Sequence, residues 1–290
     1  MVIDAHLHIK GGESGERILR AMDEAGIARM VILSEPPHRI FPMRPPSPDE
    51  PAPHYEHRSV IDDLARIVAP DPERLLGFAW IEPTLTDAVD AVDYAFGDRG
   101  LRGAKMMPYH WYPRDERAQA CYAKIESYDR PMLFHTGALW GYTETSEFCR
   151  PVYAEILLHY PKLRVALCHI GWPWTDECLA VCGKFRAAAR RDPGREWSCF
   201  VEISTGAPRV WKVDALRKAL AYLGDGQLIY GSDLFEPENP QALRRHLELE
   251  VELLQEAGAS PEAIERILCR NALRWLTTAC GGSASFLPNL

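Results

Sequence analysis

Apolar residues along this chain follow two rhythms. Short runs rich in β-branched and aliphatic residues occur at residues 2–9, 30–34, 75–81, 103–107, 132–135, 164–169, 198–204 and 227–231. Between them, apolar residues recur three and four apart, the spacing that gathers them on one face of a helix. The stripe Ile18, Leu19, Met22 marks a helix over residues 15–25, and Val60, Ile61, Leu64, Ile67 and Val68 mark one over 58–68. Further helices are predicted over 84–96, 115–128, 146–159, 175–190, 213–223 and 240–256. A last helix over 261–277 opens with Ser260 as N-cap and Pro261 at its first position, where a missing N–H loses no bond.

Strands that alternate with helices make βαβ units and a parallel sheet. Eight strands in that alternation are the count of a (β/α)8 TIM barrel, an α/β fold. No shift of composition marks a second domain, so residues 1–280 are expected to form one barrel domain and 281–290 a C-terminal tail. Residues 36–57 break the rhythm. They carry Pro36, Pro37, Pro42, Pro45, Pro46, Pro48, Pro51 and Pro53, too many for a helix or a central strand. In a barrel, a long loop after the second strand lies at the C-terminal mouth, where lids and pocket walls occur.

Composition narrows the function classes. The 290 residues are 47% hydrophobic and 26% charged, a globular balance that excludes a disordered or fibrous chain. Thirty-three basic against 41 acidic residues leave a net charge of −8, the wrong sign for a nucleic-acid-coating surface. No run of about 18 apolar residues is present, so no membrane span is predicted. The N-terminus shows no basic segment ahead of an apolar stretch, and the eight cysteines form no CxxC pair. A cytoplasmic chain with free buried thiols is the expectation.

Candidate chemistry gathers at strand ends. The first strand carries Asp4, His6 and His8 at alternating positions, so all three are expected on one face. Two imidazoles about 6.5–7 Å apart along a strand can converge on one ion. The fifth strand ends in His135-Thr136-Gly137, the sixth in His169-Ile170-Gly171, and the eighth in Gly231-Ser232-Asp233. Catalytic groups of barrel enzymes sit at the C-terminal ends of strands. Any one of these residues alone reads equally as a satisfied core histidine or a capping aspartate. Together, at strands one, five, six and eight, they point to a metal-dependent site. Cys168 is expected to face away from His169 as strand packing, and His159 and His246, on helices, to be structural.

The ordered set Asp4-Ala-His6-Leu-His8, Gly103-Ala-Lys105-Met-Met-Pro108, His135-Thr-Gly, His169-Ile-Gly-Trp-Pro and Gly231-Ser-Asp233 resembles the amidohydrolase superfamily. The similarity is to its amidohydrolase-related branch, which includes aminocarboxymuconate-semialdehyde decarboxylase and related metal-dependent hydrolases. The resemblance implies that His6, His8 and His135 bind one divalent metal, zinc or alternatively manganese. It implies that Asp233 is a fourth ligand or the general base, and that His169 hydrogen-bonds the water or the reacting oxygen. The implied reaction is hydrolysis of a small amide, ester or lactone through metal-activated water. The alternative on the same residues is decarboxylation of an unsaturated or aromatic acid.

Three readings of Lys105 stay open: a carbamylated bridge between two metals, a positive charge for a substrate carboxylate, or an ion pair with Glu202. Loop aromatics at Tyr109, His110, Trp111, Trp140, Tyr142, Trp172 and Trp174 are candidate walls for a cyclic or carboxylate-bearing substrate. His38, Arg39, Arg44, His54 and His57 are candidates from the proline-rich loop. A homodimer is the assembly to test, with that loop and the tail as contact candidates.

Overall fold

The computed structural model describes residues 1–37, 56–139, 145–192, 199–204 and 206–277. Most of the proline-rich segment, Trp140, Tyr142 and the tail at 281–290 lie outside the described residues. Eight parallel strands run in sequence order: β1 (Ile3–His8), β2 (Arg29–Leu33), β3 (Leu75–Trp80), β4 (Gly103–Met106), β5 (Met132–Phe134), β6 (Val165–Leu167), β7 (Cys199–Glu202) and β8 (Leu228–Ile229). The segment after β8 closes the ring against β1. The Ala5 N–H donates to the Tyr230 carbonyl at 3.0 Å, Asp233 N–H to His6 at 2.7 Å, and His8 N–H to Leu234 at 2.8 Å. The eight expected strands and their order are therefore those of a TIM barrel.

Helices α1 (Gly15–Ala25), α2 (His57–Val68), α3 (Ala88–Asp93), α4 (Glu116–Ser127), α5 (Thr175–Arg191), α6 (Arg209–Leu223), α7 (Pro240–Glu256), α8 (Pro261–Glu265) and α9 (Asn271–Leu276) fill the crossovers. Capping follows the sequence: Ser260 accepts from the Ala263 N–H, and Asn239 accepts from that of Ala242, each ahead of a proline. The helix expected over 146–159 is instead a 3₁₀ turn at Thr145–Glu147 and a separate 3₁₀ stretch at Pro151–His159. Pro151 explains the break. It holds Arg150 extended (φ −65°, ψ 132°) and offers no N–H to a preceding turn.

Strand alternation sorts the core into two layers. Leu75, Met132, Val165, Val201 and Leu228 face the helices, whereas Val31, Phe78, Leu133, Ala166, Phe200 and Ile229 fill the barrel. Trp275 of α9 joins the inner layer, fully buried, with its ring 5.3 Å from that of Phe78. Arg164 ties it down by donating from Nε to the Trp275 carbonyl at 2.8 Å. Apolar packing thus blocks the N-terminal end, and the buried histidines gather toward the other mouth.

Candidate functional site

The first strand does not keep its parity. From Asp4 to Leu7 it advances three residues while β2 advances two, Met30 to Ile32, which is a β-bulge. Ile3 and Ala5 pack inside the barrel, but Leu7 and Ile9 pack outside. The bulge therefore turns His6 and His8 inward without Asp4. Asp4 instead accepts from the backbone N–H of His6 (3.1 Å) and Ser232 (2.9 Å), pinning β1 to the end of β8. Burial raises its carboxyl to about 7 against the lowering effect of those bonds to Ser232. The expectation of three side chains on one face is corrected to two.

His6 and His8 rings lie 5.1 Å apart, and both meet Asp233. Its Oδ1 is 3.2 Å from His6 Nε2 and 3.1 Å from His8 Nε2. Asp233 reaches them from a left-handed backbone (φ 57°), and His169 (φ 61°) and Ile170 (φ 50°) are left-handed as well. An isoleucine in this region is a genuine outlier, and such strain concentrates at functional sites. It also decides which way His169 points. In β6, Ala166 and Cys168 share the inner layer, so strict alternation would send His169 outward. The left-handed turn at Cys168–Gly171 swings it back. The expectation for Cys168 is thereby reversed: its thiol is inside the barrel.

Glu202 organises the cluster and was missed as a site residue. Fully buried, it takes the His6 Nδ1 at 3.0 Å, the Ser204 N–H at 2.6 Å, the Ser204 hydroxyl at 2.9 Å and the His169 N–H at 3.3 Å. An acidic residue inside the apolar run of β7 was the available signal. The proton positions follow. His6 Nδ1 donates to Glu202, so Nε2 carries no proton and can accept from Lys105 Nζ at 3.2 Å. His169 Nδ1 lies 3.2 Å from the Ser204 carbonyl and must donate to it. Its Nε2 then accepts from His135 Nδ1 at 3.0 Å, so His135 Nε2 carries no proton. That atom is buried without a hydrogen-bond partner.

Charge states agree with this assignment. Burial, reinforced by the charge of Lys105, holds His6 well below the ordinary imidazole range. Burial and the neighbouring His169 do the same to His135, and burial lowers His169 to about 4. Burial alone would raise Asp233, but the facing His6, His169 and His8 rings hold it well below the usual carboxylate range.

These atoms fit a divalent cation. With its Nδ1 proton committed, His6 Nε2 is an acceptor that faces Asp233 Oδ1 at 3.2 Å and the Lys105 Nζ donor at 3.2 Å. A tetrahedral ion with bonds of about 2.0–2.1 Å spaces its ligand atoms about 3.3 Å apart, close to the distances here. His135 Nε2 is unpartnered, but the ligand atoms that lie within 4.8 Å of one another are those of His6, His8 and Asp233, without His135.

A family model described as Amidohydrolase matches residues 3–277. The chain belongs to the amidohydrolase family. No curated protein matches it. Among solved structures, an uncharacterized TIM-barrel protein from Bordetella bronchiseptica is similar at TM-score 0.66 and 18% identity, covering 95% of this chain and 98% of that one. A 5-carboxyvanillate decarboxylase from Novosphingobium aromaticivorans, complexed with manganese and 4-hydroxy-3-methoxy-5-nitrobenzoic acid, gives 0.64 and 15% over 95% and 96%. A probable 2-pyrone-4,6-dicarboxylic acid hydrolase from Acinetobacter baumannii, with citric acid bound, gives 0.59 and 14% over 95% and 98%. At these identities the likeness establishes the barrel and nothing finer.

Other expected residues scatter. Lys105 is buried, with Nζ 3.2 Å from His6 Nε2 and 3.3 Å from Cys168 Sγ. Glu202 is committed to its own four donors, so no Lys105–Glu202 ion pair forms. Tyr109 packs on Trp80 and Met107 at the mouth, and exposed His110 meets the Thr84 hydroxyl at 3.3 Å. Trp80 and Phe235 flank His8, the latter stacked at 4.4 Å, and neither was anticipated. Trp172 turns elsewhere. It lines a rim pocket of about 470 Å³ with Trp174, Trp211 and Lys218, to which none of the site histidines contributes. His57 is a pin, its Nδ1 2.7 Å from Asp87 and its Nε2 accepting the Glu82 N–H at 2.9 Å. Among the described residues, no helix is long and apolar enough to cross a membrane.

Proposed function

We propose that this amidohydrolase is a metal-dependent hydrolase that cleaves an amide, ester or lactone bond in a small carboxylate-bearing or cyclic substrate. One observation carries the reading: the Nε2 atoms of His6 and His8 converge on the Asp233 carboxylate, at 3.2 and 3.1 Å from its Oδ1. His6, His8, His135 and Asp233 would hold the ion, zinc or alternatively manganese. Bound there, a divalent cation supplies Lewis acidity to a carbonyl oxygen and acidifies water to a pKa of about 7. Asp233 is the base. Its side chain is 34% exposed and its ionised state suits proton removal from the attacking water and return to the leaving group. His169 has both ring nitrogens engaged by Ser204 and His135, so it positions His135 rather than touching the substrate. Lys105 holds a fixed positive charge beside His6, and Tyr109 and His110 form part of the mouth.

Decarboxylation is the second reading, favoured by the aromatic acid and manganese in the Novosphingobium relative. There Asp233 would deliver a proton to carbon rather than to a leaving heteroatom. The test combines metal content, for the parent and His8→Ala, with a panel of esters, lactones and aromatic acids. Hydrolysis with a bound ion that His8→Ala loses supports the proposal. Carbon dioxide release without hydrolysis overturns it in favour of the second reading.

A further inference from the structure

The rim pocket of about 470 Å³ has a lining with its own chemistry. Its volume is that of a small-ligand site. The turn after β6 supplies Trp172 and Trp174, and the first turn of α5 supplies Asp176 and Glu177. Trp211 and Asp214 of α6 form the facing wall. The Trp172 and Trp211 rings are stacked, with centroids 5.7 Å apart and planes 26° from parallel. Trp211 nevertheless stays 55% exposed. A lone exposed indole needs no explanation, but this one lines a cavity together with two others.

The faces of indole rings carry negative potential, and tryptophan attracts cations more strongly than tyrosine or phenylalanine does. One indole of this set already shows the attraction, since the Arg150 guanidinium stands 5.8 Å from the Trp174 centroid. The carboxylates act in the same direction. Asp176 and Asp214 share a single ammonium, Lys218 Nζ, at 3.2 and 3.3 Å. Glu177 pairs with Arg150. Three carboxylates therefore meet two cations, which leaves one negative charge over beside the indoles. That balance opposes an anionic ligand. Among the described residues, no three metal-ligand atoms of this pocket gather within 4.8 Å, so it is not a metal cradle either.

We propose that the rim pocket binds a small organic monocation whose charge is carried by an alkylated ammonium. The indoles of Trp172 and Trp211 meet its methyl or methylene groups, and the Asp176–Asp214 pair supplies the counter-charge. An ammonium sheathed in carbon suits this lining, because it offers apolar surface to the rings and positive charge to both rings and carboxylates. The site is independent of the metal reading, since none of the catalytic histidines lines it. Its link to them runs through the backbone, where the Trp172 N–H donates to the His169 carbonyl at 3.0 Å.

The experiment titrates the full chain with choline, with the uncharged isostere in which carbon replaces the nitrogen, and with glucose, each followed by ligand-observed NMR. Two variants are compared with the parent, Trp211→Ala and Asp214→Asn. Both positions are exposed, at 55% and 61%, and circular dichroism checks the fold; should one variant not fold, the other carries the comparison. Choline is expected to bind saturably and more tightly than its uncharged isostere. Each variant should weaken it by about three- to tenfold, and added salt should weaken it further. Equal binding of choline and the isostere overturns the proposal, because the pocket is then only an apolar cleft. Choline binding that neither folded variant alters lies elsewhere on the chain and overturns it too. So does glucose binding in preference to choline, which would make the indoles a stacking platform for a neutral ring, and so does no binding of choline at all.

Discussion

Glu202→Gln is the sharpest perturbation of the proposed centre, because it changes charge and proton inventory with almost no change of shape. The parent carboxylate accepts four donors: His6 Nδ1, the Ser204 N–H, the Ser204 hydroxyl and the His169 N–H. A glutamine can keep its oxygen on the 2.6 Å bond from Ser204 N–H. Its NH2 group then faces the His6 Nδ1 proton, donor against donor. The ring escapes only by moving that proton to Nε2, the nitrogen 3.2 Å from Asp233 Oδ1. The lone pair that would ligate the metal is lost. Outer-shell partners of metal-bound histidines are worth 10–100-fold in affinity, or about 1.4–2.7 kcal/mol. The assay is a competition titration against a chromophoric chelator, with thermal melting as a control for folding. A folded Glu202→Gln protein that binds metal as tightly as the parent would refute the tautomer argument and, with it, the role given to Glu202.

Three further outcomes are expected. Gly231→Ala places a Cβ 2.5 Å from Glu202 Oε1 and 2.7 Å from His6 Cβ, so urea denaturation should show a loss of about 1–3 kcal/mol together with reduced metal content; parent-like values for both would contradict the close approach. Trp275→Ala empties the inner core at the closed end and should cost about 3–5 kcal/mol while leaving KM unchanged in the folded fraction. A loss below about 1 kcal/mol would show that α9 does not plug the barrel. His246, lowered to about 4 by burial and by Lys212, stays neutral in the folded protein while the unfolded chain takes up a proton below about pH 6.5. Its contribution to stability is complete above that pH and is lost as pH falls toward 4, about 3 kcal/mol in all, and His246→Gln should flatten that part of the stability–pH curve.

The strands were legible because burial acts at every position of a barrel and leaves its period along the whole chain. The histidines and Asp233 were legible because polar residues at the ends of apolar runs stand out against that period. What escaped were the places where the backbone leaves the period. The bulge in β1 reverses the facing of His6 relative to Ala5, and the left-handed turn after β6 reverses His169 relative to Cys168. Neither departure has a local cause that spacing reveals, since an isoleucine at φ 50° is opposed by its own sterics. Both are held from other strands. Asp4 fastens the bulged strand to the Ser232 N–H, and Glu202 accepts the His169 N–H across from β7. Gly231 leaves the space between Glu202 and His6 that lets the two meet. The groups that would touch a metal were thus readable one strand at a time, whereas the groups that aim them become visible only once the barrel closes, because their partners lie up to 228 residues away.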